Sequence, residues 1–132
     1  DTPTLVKMVG EKMKSYPEIY PHLFNISTSC VDEGKKALLG KDLEVFGQMM
    51  NINEGLLSAY GVETAKLSAM IHAARDAGAY GAKLSGAGGG DCMIALADDK
   101  KRKIVERAIA KVGGEIIHLE TNAEGVRIEK SN

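Results

Sequence analysis

Residues 83–96 read KLSGAGGGDCMIAL, a stretch in which four glycines occupy five positions directly before an apolar run. The four are Gly86, Gly88, Gly89 and Gly90. Without Cβ atoms a chain can adopt positive φ, turn sharply and direct several N–H groups into one small space. That property suits an anionic phosphate or a second loop packed against the first. A tight hairpin with a bulge between two strands is the alternative, and spacing alone leaves both open.

Composition limits the classes of protein to consider. With 132 residues, 44% hydrophobic and 27% charged, the chain is long enough for one domain with a core and too short for two. Its net charge of −1 provides no electrostatic reason to expect a nucleic acid or an anionic membrane as partner. No apolar run approaches the roughly twenty residues of a membrane span. Cys30 and Cys92 lack metal-ligand spacing, so we predict no metal site and reduced thiols, as in a cytoplasmic protein.

Apolar residues at helical spacing predict four helices in the first half of the chain. Thr2 and Pro3 fit the cap and first turn of the first helix, which Pro17 ends. Gly61 and Gly78 are typical of helix C-termini. The four predicted helices span about residues 2–16, 19–40, 41–61 and 64–78.

The pattern changes in the second half, where strands are predicted at 82–85 and 91–97, on either side of the glycines. A helix around Ile104 to Val112 follows and ends at two glycines. Two more strands, 115–120 and 125–130, are predicted with a turn between them. This order favours an α+β fold in which helices pack with a four-stranded antiparallel sheet. No repeat or linker divides the chain, so residues 1–132 are predicted to form one domain.

Two familiar phosphate-binding motifs are excluded. Asp91 and Cys92 follow the last glycine, so the Gly-Lys-Ser/Thr ending of a P-loop is missing. The segment after the glycines reads as a strand, so no helix N-terminus opens onto a pyrophosphate as it does in a dinucleotide-binding fold.

A polar residue interrupts the apolar stripe of the third helix. Asn53 falls near the centre of the stripe that includes Met50 and Leu57. Burying its amide without a partner would cost about 1–3 kcal/mol. Asn53 is therefore either a hydrogen-bonded core residue or part of a site where a ligand or a loop meets the helix. Its neighbour Glu54 is predicted to lie at the rim.

The segment Ser85–Cys92, SGAGGGDC, resembles the third conserved motif of the GHMP kinases, which are named for galactokinase, homoserine kinase, mevalonate kinase and phosphomevalonate kinase. Within this family the chain looks most like the mevalonate kinases, especially those of archaeal type. The resemblance spans almost the whole chain. The other similar segments are 50–57, 61–62, 73–75, 81–84, 113–114 and 124–129.

Two residues depart from the pattern of the mevalonate kinases. Asp91 stands where a glycine is frequent, and an aspartate there also resembles many phosphomevalonate kinases. Glu54 stands where a histidine or glutamine is frequent. Both departures concern the choice of substrate within the family and not the fold.

The resemblance implies a ferredoxin-like C-terminal domain of a kinase of isoprenoid biosynthesis, which transfers the γ-phosphoryl group of ATP to the 5-hydroxyl of mevalonate. ATP and Mg²⁺ would be bound mainly by an N-terminal domain that this chain lacks, so no catalytic residue is assigned here. Ser85–Gly90 would face the phosphate loop of that domain and line the substrate cleft, with Ala87 near the reacting end. Asn53 would support the cleft from its helix, and Thr4 would lie at the domain junction.

Two alternatives remain open. One is a phosphomevalonate kinase or another GHMP small-molecule kinase. The other, from a different class, is a stand-alone ferredoxin-like module that binds a small ligand or regulates a partner. The chain opens on Asp1 and not on methionine, which favours a piece of a longer enzyme. The face toward the missing domain is expected to be apolar, so self-association of the isolated chain, for example as a homodimer, is expected.

Overall fold

The computed structural model describes residues 1–90, 92–119 and 123–128. Over these ranges the chain is α+β, with five helices and a sheet of two antiparallel strands. None of the helices in the described ranges combines the length and hydropathy that a membrane crossing requires. The elements are α1 (Thr2–Ser15), α2 (Tyr20–Leu39), α3 (Leu43–Tyr60), α4 (Ala65–Asp76), β1 (Gly81–Leu84), β2 (Met93–Leu96) and α5 (Asp99–Lys111).

The helices begin and end within a few residues of the predicted positions. Asp42 begins α3 as a cap, and Gly61 ends it with a φ of 81°, in the left-handed region that glycine tolerates. The cap of α1 differs from the prediction, because Asp1 fills the position expected for Thr2. The Asp1 Oδ1 accepts a hydrogen bond from the N–H of Thr4 at 3.0 Å. A carboxylate at this end also interacts favourably with the helix dipole.

The sheet has two strands over the described residues, so the predicted four are not confirmed. Residues 115–119 and 125–128 lie outside any strand, and the rest of both predicted strands falls outside the described residues. Alternating apolar and polar residues predict which side of a strand is buried, but they do not supply a pairing partner. Leu119 and Ile128, which the alternation places on a buried face, are 74% and 96% exposed.

The core lies between α4 and β1. Leu67, Ile71 and Ala74 on α4, and Ala82 and Leu84 on β1, are completely buried. Two apolar residues of α5 join the same cluster. Burial of this apolar surface is the main stabilising contribution to the fold. It also fixes β1, whose last residue leads directly into the glycine-rich segment.

α3 packs with its backbone against β1. A Cβ atom added to Gly47 would overlap the carbonyl group of Tyr80, and one added to Gly81 would overlap the backbone of Gly47. A side chain at either position would push the helix away from the strand. The pair of glycines therefore brings other side chains of α3 within hydrogen-bonding distance of β1.

Two glycines of α3 provide a matched test of this packing. Gly47→Ala is expected to lower the free energy of unfolding by about 1–3 kcal/mol, because the methyl group overlaps β1. Gly55, on the same helix, is exposed and has open space around its Cβ position. Gly55→Ala is expected to raise stability by up to about 1 kcal/mol through helix propensity. Urea unfolding followed by circular dichroism measures both, and equal stabilities would contradict the backbone packing.

Candidate functional site

The segment Ser85–Gly90, called the glycine loop below, leaves β1 under two backbone restraints. The N–H of Ser85 donates to the carbonyl of Cys92 at 3.0 Å, which continues the pairing of β1 with β2 into the loop. The N–H of Gly89 donates to the carbonyl of Val62 at 2.6 Å, just after α3. The loop is thus anchored both to the sheet and to the end of α3.

The tip of the glycine loop presents backbone N–H groups that have no acceptor among the described residues. Gly86 and Gly88 have φ values of 87° and 82°, a conformation that favours glycine. The N–H groups of Gly86, Ala87 and Gly88 have no acceptor within the described part of the chain, and Gly86 and Ala87 are exposed. Successive N–H groups in such a turn form a concavity that binds anions. The loop can therefore hold a phosphate or carboxylate group at its tip.

An apolar groove lies between α1, α3 and the glycine loop. Its volume is ≈ 430 Å³, the size of a small-molecule site. Leu5 and Val9 line it from α1, Leu57 from α3, Val62 from the following turn and Ala87 from the loop. The free N–H groups of the loop and an apolar surface thus adjoin each other.

The two predicted site residues outside the glycine loop do not line this groove, although each has a neighbour on its helix that does. Thr4 is exposed in the first turn of α1, next to Leu5, whose side chain lies against Gly89. Asn53 is half-buried, one helical turn before Leu57. The Asn53 amide has no hydrogen-bond partner in the described ranges, so a bonded core asparagine is not observed at that position.

Side chains of α3 satisfy the outer edge of β1, which is the edge that does not pair with β2. Asn51 Oδ1 accepts from the N–H of Ala82 at 3.0 Å, and Asn51 Nδ2 donates to the carbonyl of Tyr80 at 3.2 Å. Glu54 Oε2 accepts from the N–H of Leu84 at 2.6 Å. α3 therefore stands where a neighbouring strand would otherwise pair.

Two cationic side chains supply the remaining hydrogen bonds along this edge of β1. Arg75 of α4 donates from Nη2 to the carbonyl of Ala82 at 2.7 Å, and Lys83 Nζ donates to the carbonyl of Leu84 at 2.8 Å. The outward backbone groups from the Tyr80 carbonyl to the Leu84 carbonyl thus all have side-chain partners. Since an unpaired strand edge is a template for association, these bonds also protect the edge.

Glu54 is buried, whereas the sequence predicts it at the rim. Only 3% of its surface is exposed, and Oε1 has no partner in the described ranges, nor does the buried Nε of Arg75. Burial raises the pKa of Glu54, and the nearby Glu63 adds to the rise. The hydrogen bond from Leu84 and the charges of Lys83 and Arg75 act in the opposite direction. Burial also lowers the pKa of Lys83.

The sequence contained a signal for the α3 contacts that an apolar stripe does not reveal. Gly47, Asn51 and Glu54 recur at i, i+4 and i+7, so they share one face of the helix. A face that combines a glycine with two hydrogen-bonding side chains is suited to packing against backbone. Reading the stripe through apolar residues alone instead singled out Asn53.

Comparison with known proteins identifies the family. The family model described as GHMP kinases C terminal matches residues 35–115, more than half of the chain. The chain belongs to the GHMP kinase C-terminal domain family. The matched region includes α3, β1, the glycine loop and β2, so it contains the site just described except for the part that α1 contributes.

Archaeal mevalonate kinases are similar to this GHMP kinase chain over nearly its whole length. It is 44% identical to the mevalonate kinase of Pyrococcus abyssi, over 98% of the chain and 40% of that protein. The mevalonate kinase of Thermococcus gammatolerans is also 44% identical, with the same coverage. The chain thus spans about 40% of the length of the curated relatives it matches.

Solved structures share the fold. The crystal structure of L. major mevalonate kinase in complex with R-mevalonate matches with a TM-score of 0.81 and 30% identity, over 84% of this chain and 34% of that one. The Lin0012 protein of Listeria innocua matches with a TM-score of 0.80 and 24% identity, over 86% of this chain and 34% of that one. The second likeness concerns the fold alone.

The raised pKa of Glu54 predicts a pH-dependent stability. Between the ordinary pKa near 4.5 and the higher value in the fold, the folded state binds more protons than the unfolded state. Stability of the wild type is therefore reduced as pH rises through this window. Glu54→Gln keeps an acceptor for Leu84 but does not titrate, so its stability relative to wild type should increase with pH. Urea unfolding of both proteins from acidic to neutral pH measures this, and a pH-independent difference would contradict it.

Proposed function

We propose that this GHMP kinase chain is the C-terminal domain of a mevalonate kinase, which transfers the γ-phosphoryl group of ATP to the 5-hydroxyl of mevalonate. The observation that carries the proposal is the tip of the glycine loop, where three N–H groups without acceptors in the described ranges adjoin an apolar groove. The 44% identity to archaeal mevalonate kinases supports the choice of substrate. A solved relative, at 30% identity, holds R-mevalonate.

The glycine loop can meet one of the two main requirements of phosphoryl transfer. Such a reaction needs in-line placement of the hydroxyl and neutralisation of charge on the phosphoryl oxygens. Backbone N–H groups at Gly86, Ala87 and Gly88 can donate to such oxygens without rearranging. Within the described ranges, no three His, Cys, Asp or Glu side chains lie close enough to share a metal ion. We infer that Mg²⁺ and ATP are bound mainly by an N-terminal domain, whose phosphate site the glycine loop faces.

The same proposal gives a role to the remaining predicted residues. This chain covers 40% of the length of the relative from Pyrococcus abyssi, and the remainder leaves room for an N-terminal domain. That domain would cover the apolar groove, with Thr4 at the junction and Asn53 supporting the cleft from α3. In the isolated chain the uncovered groove would favour a homodimer. Cys30 and Cys92 are both free thiols, which supports a cytoplasmic setting.

The proposal is tested with protein expressed from the complete natural reading frame. ATP consumption is measured with mevalonate and, separately, with phosphomevalonate as acceptor. We expect turnover with mevalonate only. Turnover with phosphomevalonate alone would change the assigned substrate to phosphomevalonate. A short reading frame without any nucleotide-binding domain would favour the stand-alone binding module.

Two glycines with nearly equal positive φ angles test the loop itself. Gly86 and Gly113 have φ values of 87° and 88°, and the Cβ position of each is in open space. Alanine at either position should therefore cost a similar amount of stability, about 1–2 kcal/mol. Only Gly86→Ala displaces the loop, so its kcat with mevalonate should fall about tenfold or more. Gly113→Ala should keep wild-type kcat per folded molecule. Equal kcat values for the two variants would argue against a role for the loop.

A further inference from the structure

Two charged side chains hold the last residue of β1 from opposite ends of its backbone. The Glu54 carboxylate accepts from the N–H of Leu84 at 2.6 Å, and the Lys83 ammonium donates to the carbonyl of Leu84 at 2.8 Å. Leu84 itself is completely buried in the core. Two successive peptide groups are therefore fixed immediately before the chain turns into the glycine loop.

The position of this pair matters because the glycine loop has few other restraints. Its residues make two backbone hydrogen bonds to the rest of the described chain, from Ser85 to Cys92 and from Gly89 to Val62. Glycines lose more conformational freedom on ordering than other residues, so such a segment does not hold one shape by itself. The direction in which the loop leaves β1 must be set at its first residues.

The burial of Glu54 also calls for an explanation beyond packing. A buried carboxylate is costly unless its charge is compensated, and an apolar residue in its place would avoid that cost. Glu54 has one oxygen without a partner in the described ranges and one committed to the N–H of Leu84. A hydrogen bond to a charged group is shorter and stronger than one between neutral groups. The carboxylate thus provides a stiff contact at the point where the loop begins.

We propose that Glu54 and Lys83 are positioning residues, which hold Leu84 so that the N–H groups of the glycine loop point into the substrate cleft. Neither side chain touches the reacting atoms in this proposal, and both act through the backbone. The inference rests on the proposed kinase function of the same site. It adds the two residues that set the orientation of the loop.

The test compares Glu54→Met, Glu54→Gln and Lys83→Met in protein expressed from the complete reading frame. Glu54→Met removes the acceptor, and kcat with mevalonate should fall about 10- to 100-fold because a displacement of about 1 Å has that effect. KM for ATP should change less than about threefold, since ATP is bound mainly elsewhere. Glu54→Gln retains an acceptor oxygen and should restore kcat to within about threefold of wild type. Lys83→Met should lower kcat in the same direction.

The matched control is Asn51→Leu. Asn51 makes the same kind of bond to β1 but at Tyr80 and Ala82, away from the loop. The Asn51→Leu variant should be destabilised, as Glu54→Met is, and should keep the wild-type kcat per folded molecule. If Asn51→Leu loses as much kcat as Glu54→Met, or if both Glu54→Met and Lys83→Met retain wild-type kcat, the positioning role is wrong.

A readout without catalysis separates this inference from the proposed function. Amide hydrogen exchange of Ser85 and Gly89, the two loop residues whose N–H groups are hydrogen-bonded, should be at least about tenfold faster in Glu54→Met than in wild type or Asn51→Leu, because an opened segment exchanges faster. Absence of kinase activity in the wild type, together with this faster exchange, would overturn the kinase function and leave the positioning intact. Unchanged exchange in both Glu54→Met and Lys83→Met would overturn the positioning. Lys83 is half-buried, so its variant provides the test if Glu54→Met does not fold.

Discussion

The structure depends on how the outer edge of β1 is satisfied. A strand in the core cannot leave its backbone N–H and C=O groups without partners, because each buried unpaired group costs about 1–3 kcal/mol. On one side β2 provides them. On the other side a helix takes the place of a strand, and Asn51 and Glu54 supply side-chain groups that a helix backbone cannot. This solution requires Gly47 to let α3 approach.

The site follows from that arrangement. Since α3 lies along β1, the turn after its C-terminal end lies beside the glycine loop, and the carbonyl of Val62 accepts the N–H of Gly89. The same end of α3 lines the groove through Leu57. The position of α3 therefore sets the surface next to the loop, and Glu54 on this helix holds the end of the strand from which the loop leaves. The backbone contact and the candidate cleft are two consequences of one constraint.

Much of this could be predicted from the sequence, and the limits have physical causes. Helix α3 and the loop between two strands follow from local signals, namely an apolar period, Gly61 and the glycine cluster. Glu54 could not be placed by the same reasoning, because hydropathy assigns a carboxylate to the surface unless the partner is known. That partner, the N–H of Leu84, is thirty positions away in sequence. The strands predicted after α5 are not confirmed over the described residues for a related reason, since alternation does not specify what a strand pairs with.

The carboxylate of Glu54 at the outer edge of β1 affects both the stability of the fold and the direction of the glycine loop. An apolar side chain in place of Glu54 would pack well against β1, but it would leave the N–H of Leu84 unpaired and the end of the strand free to shift. Hydrogen bonds have narrow distance and angle limits, so the bond from Leu84 to Glu54 fixes this end of the strand in a way that an apolar contact does not. A register error of one residue would turn Leu84 out of the core and redirect the glycine loop. Burying Glu54 costs free energy, but it fixes the position of β1 at the point where the glycine loop begins.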